Sequence, residues 1–308
     1  MDIQVIINIM IQLFIMIFLG YILFKTNVFD KNFNQKLTKF LLHIALPALI
    51  INSVLEQSVK PAAETVKITF FVGIAIYLIL PVIGLIVAKL IRADIKKQGL
   101  YAFMMTFSNV GFMGFPVIDA IYGSTAVFYT AIINIVFNIA AFTVGVLLLR
   151  YGGGANSKIN LLKLFTPGII FSILAVFIYV FDIRFPAIVE KTIGSIGNTT
   201  TPLAMLLMGS TLATMPLRQI FNEGKVYLFS IIKQIVIPII LFPTVKYFVH
   251  DELLFGVVII LLMMPIATNA IMFAIEYNSD EKLAAKAVFL STLMSLVTIP
   301  LIIFLLKI

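Results

Sequence analysis

Two short segments carry most of the chemistry open to this sequence. In SNVGFMGFP, Asn109 stands seven residues ahead of Pro116, with Gly111 and Gly114 between them. In MMPIATN, Pro265 is followed by Thr268 and Asn269. Proline removes a backbone donor and frees a carbonyl one turn back, so each segment reads as a break in an apolar helix. A break leaves half-helix N-termini whose unpaired N–H groups and positive dipole ends suit an anion. The polar side chains near the breaks are neutral: Ser108, Asn109, Thr268 and Asn269, with Asn52 and Ser53 on an earlier helix. An asparagine amide offers two donors and an acceptor without a desolvated charge. No carboxylate stands near either break, whereas a proton or sodium antiporter built on buried aspartates would show one. The pattern favours an anionic or neutral solute over a cation. The candidate binding residues are Asn109, Gly111, Gly114, Pro116, Pro265, Thr268, Asn269 and Asn52. The bland reading of the same residues is a set of proline kinks with small residues for helix packing. Asn134 and Asn138 read equally well as interhelical hydrogen-bonding groups.

Four ionisable residues fall within apolar stretches. Lys233 lies about two turns into its helix, where the stem could snorkel to the interface; attracting or gating an anion is the alternative. Asp119 and Glu276 stand toward the ends of their helices and read as interfacial, though either could take a proton in a coupled cycle. His43 lies near Pro47 and reads first as a structural hydrogen-bonding group, second as a proton relay. No metal site and no cofactor is expected.

The elements that must position these residues follow from composition. Of 308 residues, 61% are hydrophobic and 12% charged, with a mean hydropathy of +1.12. Ordinary soluble domains carry about 25% charged residues, so a soluble enzyme, a disordered chain and a collagen-like chain are excluded. With no cysteine there is no disulfide, thiolate metal site or cysteine nucleophile. HExxH, GxSxG and paired intramembrane aspartates are also missing, which argues against a membrane enzyme. A repeated filter-like loop is missing too, which argues against a channel.

Apolar runs place ten transmembrane helices near 3–24, 37–55, 67–91, 100–122, 126–149, 164–181, 198–215, 226–249, 253–277 and 283–306. The start lacks the basic stretch of a signal peptide and reads as an uncleaved first span. Of the 22 basic residues, 15 fall in loops on one side, 6 on the side of the termini, and Lys233 inside a span. The lysine-rich side should be cytoplasmic and both termini extracellular. The glycine-rich linker at 151–163 separates a five-helix repeat at 1–150 from a second at 164–308. Five is odd, so the halves enter the membrane in opposite orientations, the geometry of an inverted repeat. Pro47 and Pro202 occupy corresponding second helices, and the breaks occupy corresponding fourth helices of the two halves.

At these residues the chain resembles the auxin efflux carrier family, which includes plant PIN-type carriers and bacterial malate-permease-type proteins. The resemblance covers most of the chain. Its most specific parts are SNVGFMGFP followed by AIYG at 120–123, and Pro265 thirteen residues before Asn278 in AIEYN. FLLHIALPALIINSV and MGSTLATMP resemble the signatures of spans 2 and 7. The resemblance implies an all-helical inverted-repeat fold like that of NhaA antiporters and bile-acid symporters. Spans 1, 2, 6 and 7 would form a dimerising scaffold, and spans 3–5 and 8–10 a moving transport domain with spans 4 and 9 crossing. It makes Asn109 a candidate substrate ligand. The chain lacks the large cytoplasmic loop of the plant carriers, so their phosphorylation control does not carry over. The expectation is a plasma-membrane secondary transporter, a homodimer, moving a small organic carboxylate by alternating access. The alternative is a sodium-coupled symporter of the bile-acid type.

Overall fold

The computed structural model describes residues 3–56, 61–151, 166–214 and 224–306. The expected linker lies outside the described residues from 152 onward, as does the end of the span 7 signature at Met215 and Pro216. In chain order the helices are α1 (Ile3–Lys25), α2 (Lys31–Leu55), α3 (Ala63–Leu90), α4 (Ile95–Thr106), α5 (Val110–Tyr122), α6 (Ser124–Arg150) and α7 (Pro167–Phe181). They continue with α8 (Ala187–Gly197), α9 (Thr200–Ala213), α10 (Gly224–Phe248), α11 (Glu252–Met263), α12 (Asn269–Glu276) and α13 (Glu281–Leu306). Among the described residues the only β-type pairing is an isolated antiparallel bridge between Ser108 and Ile266.

Of these helices, α2, α3, α6, α10 and α13 are long and apolar enough to cross a membrane by length and composition. The outward surface is apolar, with Phe71, Leu90, Val297 and Phe304 all exposed. The expected fourth and ninth spans are each split, into α4 and α5 and into α11 and α12. One element was not expected: α8, a short helix carrying Glu190, Lys191 and exposed Ile188, where the sequence had read as a connection.

Local chemistry fixes the helix ends. Asp30, Asp94, Thr166, Asp251 and Asp280 each accept a backbone N–H from the first turn of α2, α4, α7, α11 and α13. Proline sets a second local feature. Wide π-type turns at 41–45, 110–114 and 232–236 each end two residues before a proline, at Pro47, Pro116 and Pro238. A proline ring clashes with the carbonyl four residues back, and widening that turn accommodates it without ending the helix.

Between apolar helices in a bilayer, close contact and hydrogen bonding replace the hydrophobic drive. Accordingly α1 lies along α9 with backbones nearly touching: a Cβ on Gly209 would overlap the Ile17 carbonyl, and one on Gly20 the Leu206 carbonyl. α2 packs on α7 and α8, α3 on α4 and α6, and α10 on α11 and α13. An aromatic cluster holds the first break: Phe107 stacks on Tyr77 at 5.9 Å and meets Phe137 edge-on at 5.4 Å. At the ends of α4 and α13, Lys97 pairs with Asp280 at 2.8 Å. Burial would push the Asp280 carboxyl up, but the Lys97 and Leu283 hydrogen bonds and the charges of Lys97 and Lys286 hold it below its ordinary value.

Candidate functional site

The two breaks meet in the centre of the bundle. The Asn109 N–H donates to the Pro265 carbonyl at 2.7 Å, and the Ala267 N–H donates to the Phe107 carbonyl at 3.0 Å. These bonds satisfy backbone groups that an unwound stretch would otherwise leave bare among apolar helices. The Ile266 N–H is taken by the Ser291 hydroxyl of α13 at 3.1 Å. The crossing is thus a fixed two-strand clasp from which α5 and α12 start.

Beside the clasp lies a cavity of about 250 Å³. Its walls come from both breaks (Ser108–Phe112 and Ala267–Asn269), from α2 (Leu42, His43, Leu46), from α6 (Asn134, Phe137, Asn138) and from the start of α7 (Thr166–Gly168). Three helices therefore begin at this cavity: α5 at Asn109, α12 at Thr268 and α7 at Thr166. Their positive dipole ends and first-turn N–H groups converge on one small volume.

Asn109 is 2% exposed, and its two ends do different work. Oδ1 caps α5 by accepting the Phe112 N–H at 3.2 Å, which fixes the orientation of the amide. Nδ2 is buried without a partner, as is Oδ1 of Asn269 across the cavity. A buried unpaired amide is unfavourable by about 1–3 kcal/mol. A ligand oxygen in the cavity would supply the missing acceptor for Asn109. Gly111 leaves open space where a side chain would stand.

The structure brings together Asn109, Gly111, Thr268, Asn269 and His43 from the expected set. His43 stands on the cavity wall with Nδ1 2.9 Å from the Lys39 carbonyl, an arrangement that turns Nε2 away from its own backbone. Pro265 contributes its carbonyl to the clasp, while Gly114 and Pro116 pack inside α5 without reaching the cavity. Asn52 is not at the cavity: it lies further along α2, donates to Glu56 at 2.7 Å and packs against Gly194. Asp119 is not at the cavity either; half-buried in the last turn of α5, it accepts the Thr201 hydroxyl of α9 at 3.3 Å. Glu276 is exposed at the end of α12. Asn134 and Asn138, weighed evenly between binding and helix packing, do line the cavity, as does Thr166, which was missed. Their signal was the four-residue spacing of the two asparagines, which puts both on one helix face.

Lys233 overturns the snorkelling expectation. It is 2% exposed, and its ammonium points inward, donating to Ser108 Oγ at 2.8 Å and the Met105 carbonyl at 3.2 Å. Its neighbour Gln234 reaches the other way, donating to the Ser291 carbonyl at 2.7 Å and accepting the Thr298 hydroxyl at 3.3 Å. The widened turn at 232–236 thus supports both breaks from behind.

Comparison with known proteins bears on this arrangement. Residues 5–303 match the family described as membrane transport protein. An uncharacterized transporter of Methanothermobacter thermautotrophicus is 27% identical over 295 residues, covering 94% of this chain and 95% of that one. The "Putative malonate transporter" of Rhizobium meliloti is 24% identical over 316 residues, covering 97% and 95%. An uncharacterized transporter of Methanocaldococcus jannaschii is 24% identical over 306 residues, covering 96% of each.

Proposed function

The chain belongs to the membrane transport protein family, the auxin efflux carrier family of the resemblance above, and on that premise we propose that it is a secondary transporter of a small organic anion. The observation that carries the reading is the buried, unpaired Nδ2 of Asn109 beside a cavity at which three helices begin. A carboxylate would accept from Asn109 Nδ2, the donor that is otherwise unmet, in the positive field of the helix N-termini. The name of the Rhizobium relative makes three- and four-carbon dicarboxylates the first acids to try.

The mechanism is alternating access in a ten-span inverted repeat of the plasma membrane. The scaffold is α1, α2, α7 and α9, through which two copies pair; the transport domain is α3–α6 and α10–α13. The cavity lies on the lysine-rich side of the clasp, since its α2 residues follow Lys36 and Lys39 and its α6 residues precede Arg150. By the positive-inside rule that side is cytoplasmic and both termini are extracellular, so this conformation presents the site inward. On the opposite side, the Asp119–Thr201 hydrogen bond joins α5 of the transport domain to α9 of the scaffold. Moving α5 and α12 against α2 and α7 would close one side of the site and open the other.

The test is thermal unfolding of purified protein against a panel of organic acids with and without sodium, followed by uptake in proteoliposomes. Ligand binding raises the unfolding temperature with the logarithm of ligand excess. We expect stabilisation by one class of carboxylate without sodium, and saturable uptake of the same acid. Stabilisation only when sodium is present would replace this reading with a sodium-coupled symporter. Stabilisation by no acid at all would refute the anion.

A further inference from the structure

A lysine ammonium buried among apolar helices is strongly unfavourable unless something answers its charge. Lys233 has two hydrogen bonds, both to neutral oxygens, and no carboxylate pairs with it among the described residues. One of those oxygens, the Met105 carbonyl, belongs to the last turn of α4, whose negative dipole end answers part of the charge. The other oxygen is the hydroxyl of Ser108. A serine hydroxyl that accepts from an ammonium has its own proton left to give. Ser108 is a wall residue of the cavity described above, so one residue both bonds the ammonium and borders the site.

We propose that Lys233 is the fixed cation of the anion site, acting on a bound carboxylate through the Ser108 hydroxyl and setting the preference for carboxylates over neutral isosteres. The inference rests on the cavity being the anion site and adds the source of its charge. Lys233 is a positioning residue in this scheme: it touches Ser108, and Ser108 touches the ligand. The order of charges explains its burial. With the site empty, the cation is answered only by the dipole of α4; with an anion bound, it is answered fully, across one hydroxyl and without a salt bridge that would hold the ligand too tightly to release. A direct ion pair would also expose the ammonium to the cavity, whereas here its 2% exposure keeps it on the back of the clasp.

The test compares malonate with its neutral diamide, malonamide, on wild type, Lys233→Gln, Lys233→Arg and Ser108→Ala. A carboxylate oxygen bonded to Ser108 would lie about 5 Å from the ammonium, where a unit charge at an effective dielectric of about 20 changes affinity on the order of 100-fold. We expect Lys233→Gln to lose roughly 10- to 100-fold in malonate affinity with malonamide binding unchanged, and Lys233→Arg to restore most of it. Ser108→Ala takes a hydrogen bond from either ligand but the relayed charge from malonate alone, so it should weaken malonate binding more than malonamide binding while leaving the lysine bond to Met105 in place. It also decides the matter if Lys233→Gln fails to fold. A Lys233→Gln or Ser108→Ala protein that folds and keeps the wild-type ratio of malonate to malonamide affinity overturns the proposal and leaves the transporter reading standing. Wild type that binds no acid removes the anion site and this inference with it.

Discussion

At the scale of single residues, the informative case is Asn109, because its amide is divided between a structural and a ligand-facing task. Oδ1 holds the first turn of α5 through the Phe112 N–H, and Nδ2 has no partner. A substitution that keeps the acceptor and removes the donor separates the two. Asn109→Asp retains the cap oxygen but puts a carboxylate where a substrate carboxylate would bind. We expect affinity for the transported acid to fall at least about 100-fold by like-charge repulsion, with the unfolding temperature within a few degrees of wild type. Asn109→Ala should lose binding and also the cap, which is worth about 0.5–2 kcal/mol. Binding measured by thermal shift or calorimetry checks both, and unchanged binding in Asn109→Asp would remove Nδ2 from the site. The sequence showed Asn109 as a candidate because asparagine beside a glycine–proline break is itself a chemical signal. It offered anion attraction by Lys233 only as an alternative to snorkelling, because the partner Ser108 stands 125 residues away, in the break between α4 and α5. A lone lysine in an apolar run looks the same whether it points outward or inward.

At the scale of elements, what was legible depended on whether the cause was local. The two breaks were legible because proline and glycine act within a turn, and the helix ends follow from aspartate and threonine caps. Three of the four widened turns among the described residues lie two residues before Pro47, Pro116 and Pro238 and hold His43, Gly111 and Lys233, whereas the fourth, at 141–145, precedes no proline. The short helix α8 was missed because its mixture of charged and apolar residues is not a span, and only its contact with α2 makes it an element. Long-range packing has a different signature in glycine. Gly209 reads as one of several small residues in MGSTLATMP, yet only the structure shows the Ile17 carbonyl of α1 where a side chain would go. Gly209→Ala should therefore force α1 and α9 apart and destabilise the protein by about 1–3 kcal/mol or more. Gly111→Ala, with open space before it, should leave the unfolding temperature nearly unchanged. Parallel thermal unfolding of the two variants checks this, and equal effects would deny the close crossing of α1 and α9.

At the scale of the whole molecule, the question is which side of the membrane the site faces and whether that side changes. The cavity is framed by elements that run from lysine-bearing ends, and the opposite end carries the Asp119–Thr201 contact between α5 and α9. A static cavity and an alternating one predict different access to the same side chain. The chain has no cysteine, so a single introduced thiol is the only reactive one. Asn138 lines the cavity from α6 with its Nδ2 bonded to the Asn134 carbonyl of the preceding turn, which makes it a mild place for the reporter. In sealed vesicles of known orientation, Asn138→Cys should react with a membrane-impermeant thiol reagent from the side of the lysine-rich loops. The bound acid should slow that reaction several-fold, because ligand and reagent compete for one cavity. If the site alternates, a gradient of substrate should make the same thiol reactive from the other side as well. Labelling from the lysine-rich side alone, unaffected by substrate and unchanged by turnover, would leave a pocket without a carrier. Labelling only from the side of the termini would invert the topology drawn from the basic residues. A membrane carrier needs the same few groups to meet the substrate from two directions, and on the proposed mechanism the hydrogen bonds between the two breaks would let α5 and α12 move together while keeping their N-termini aimed at one cavity.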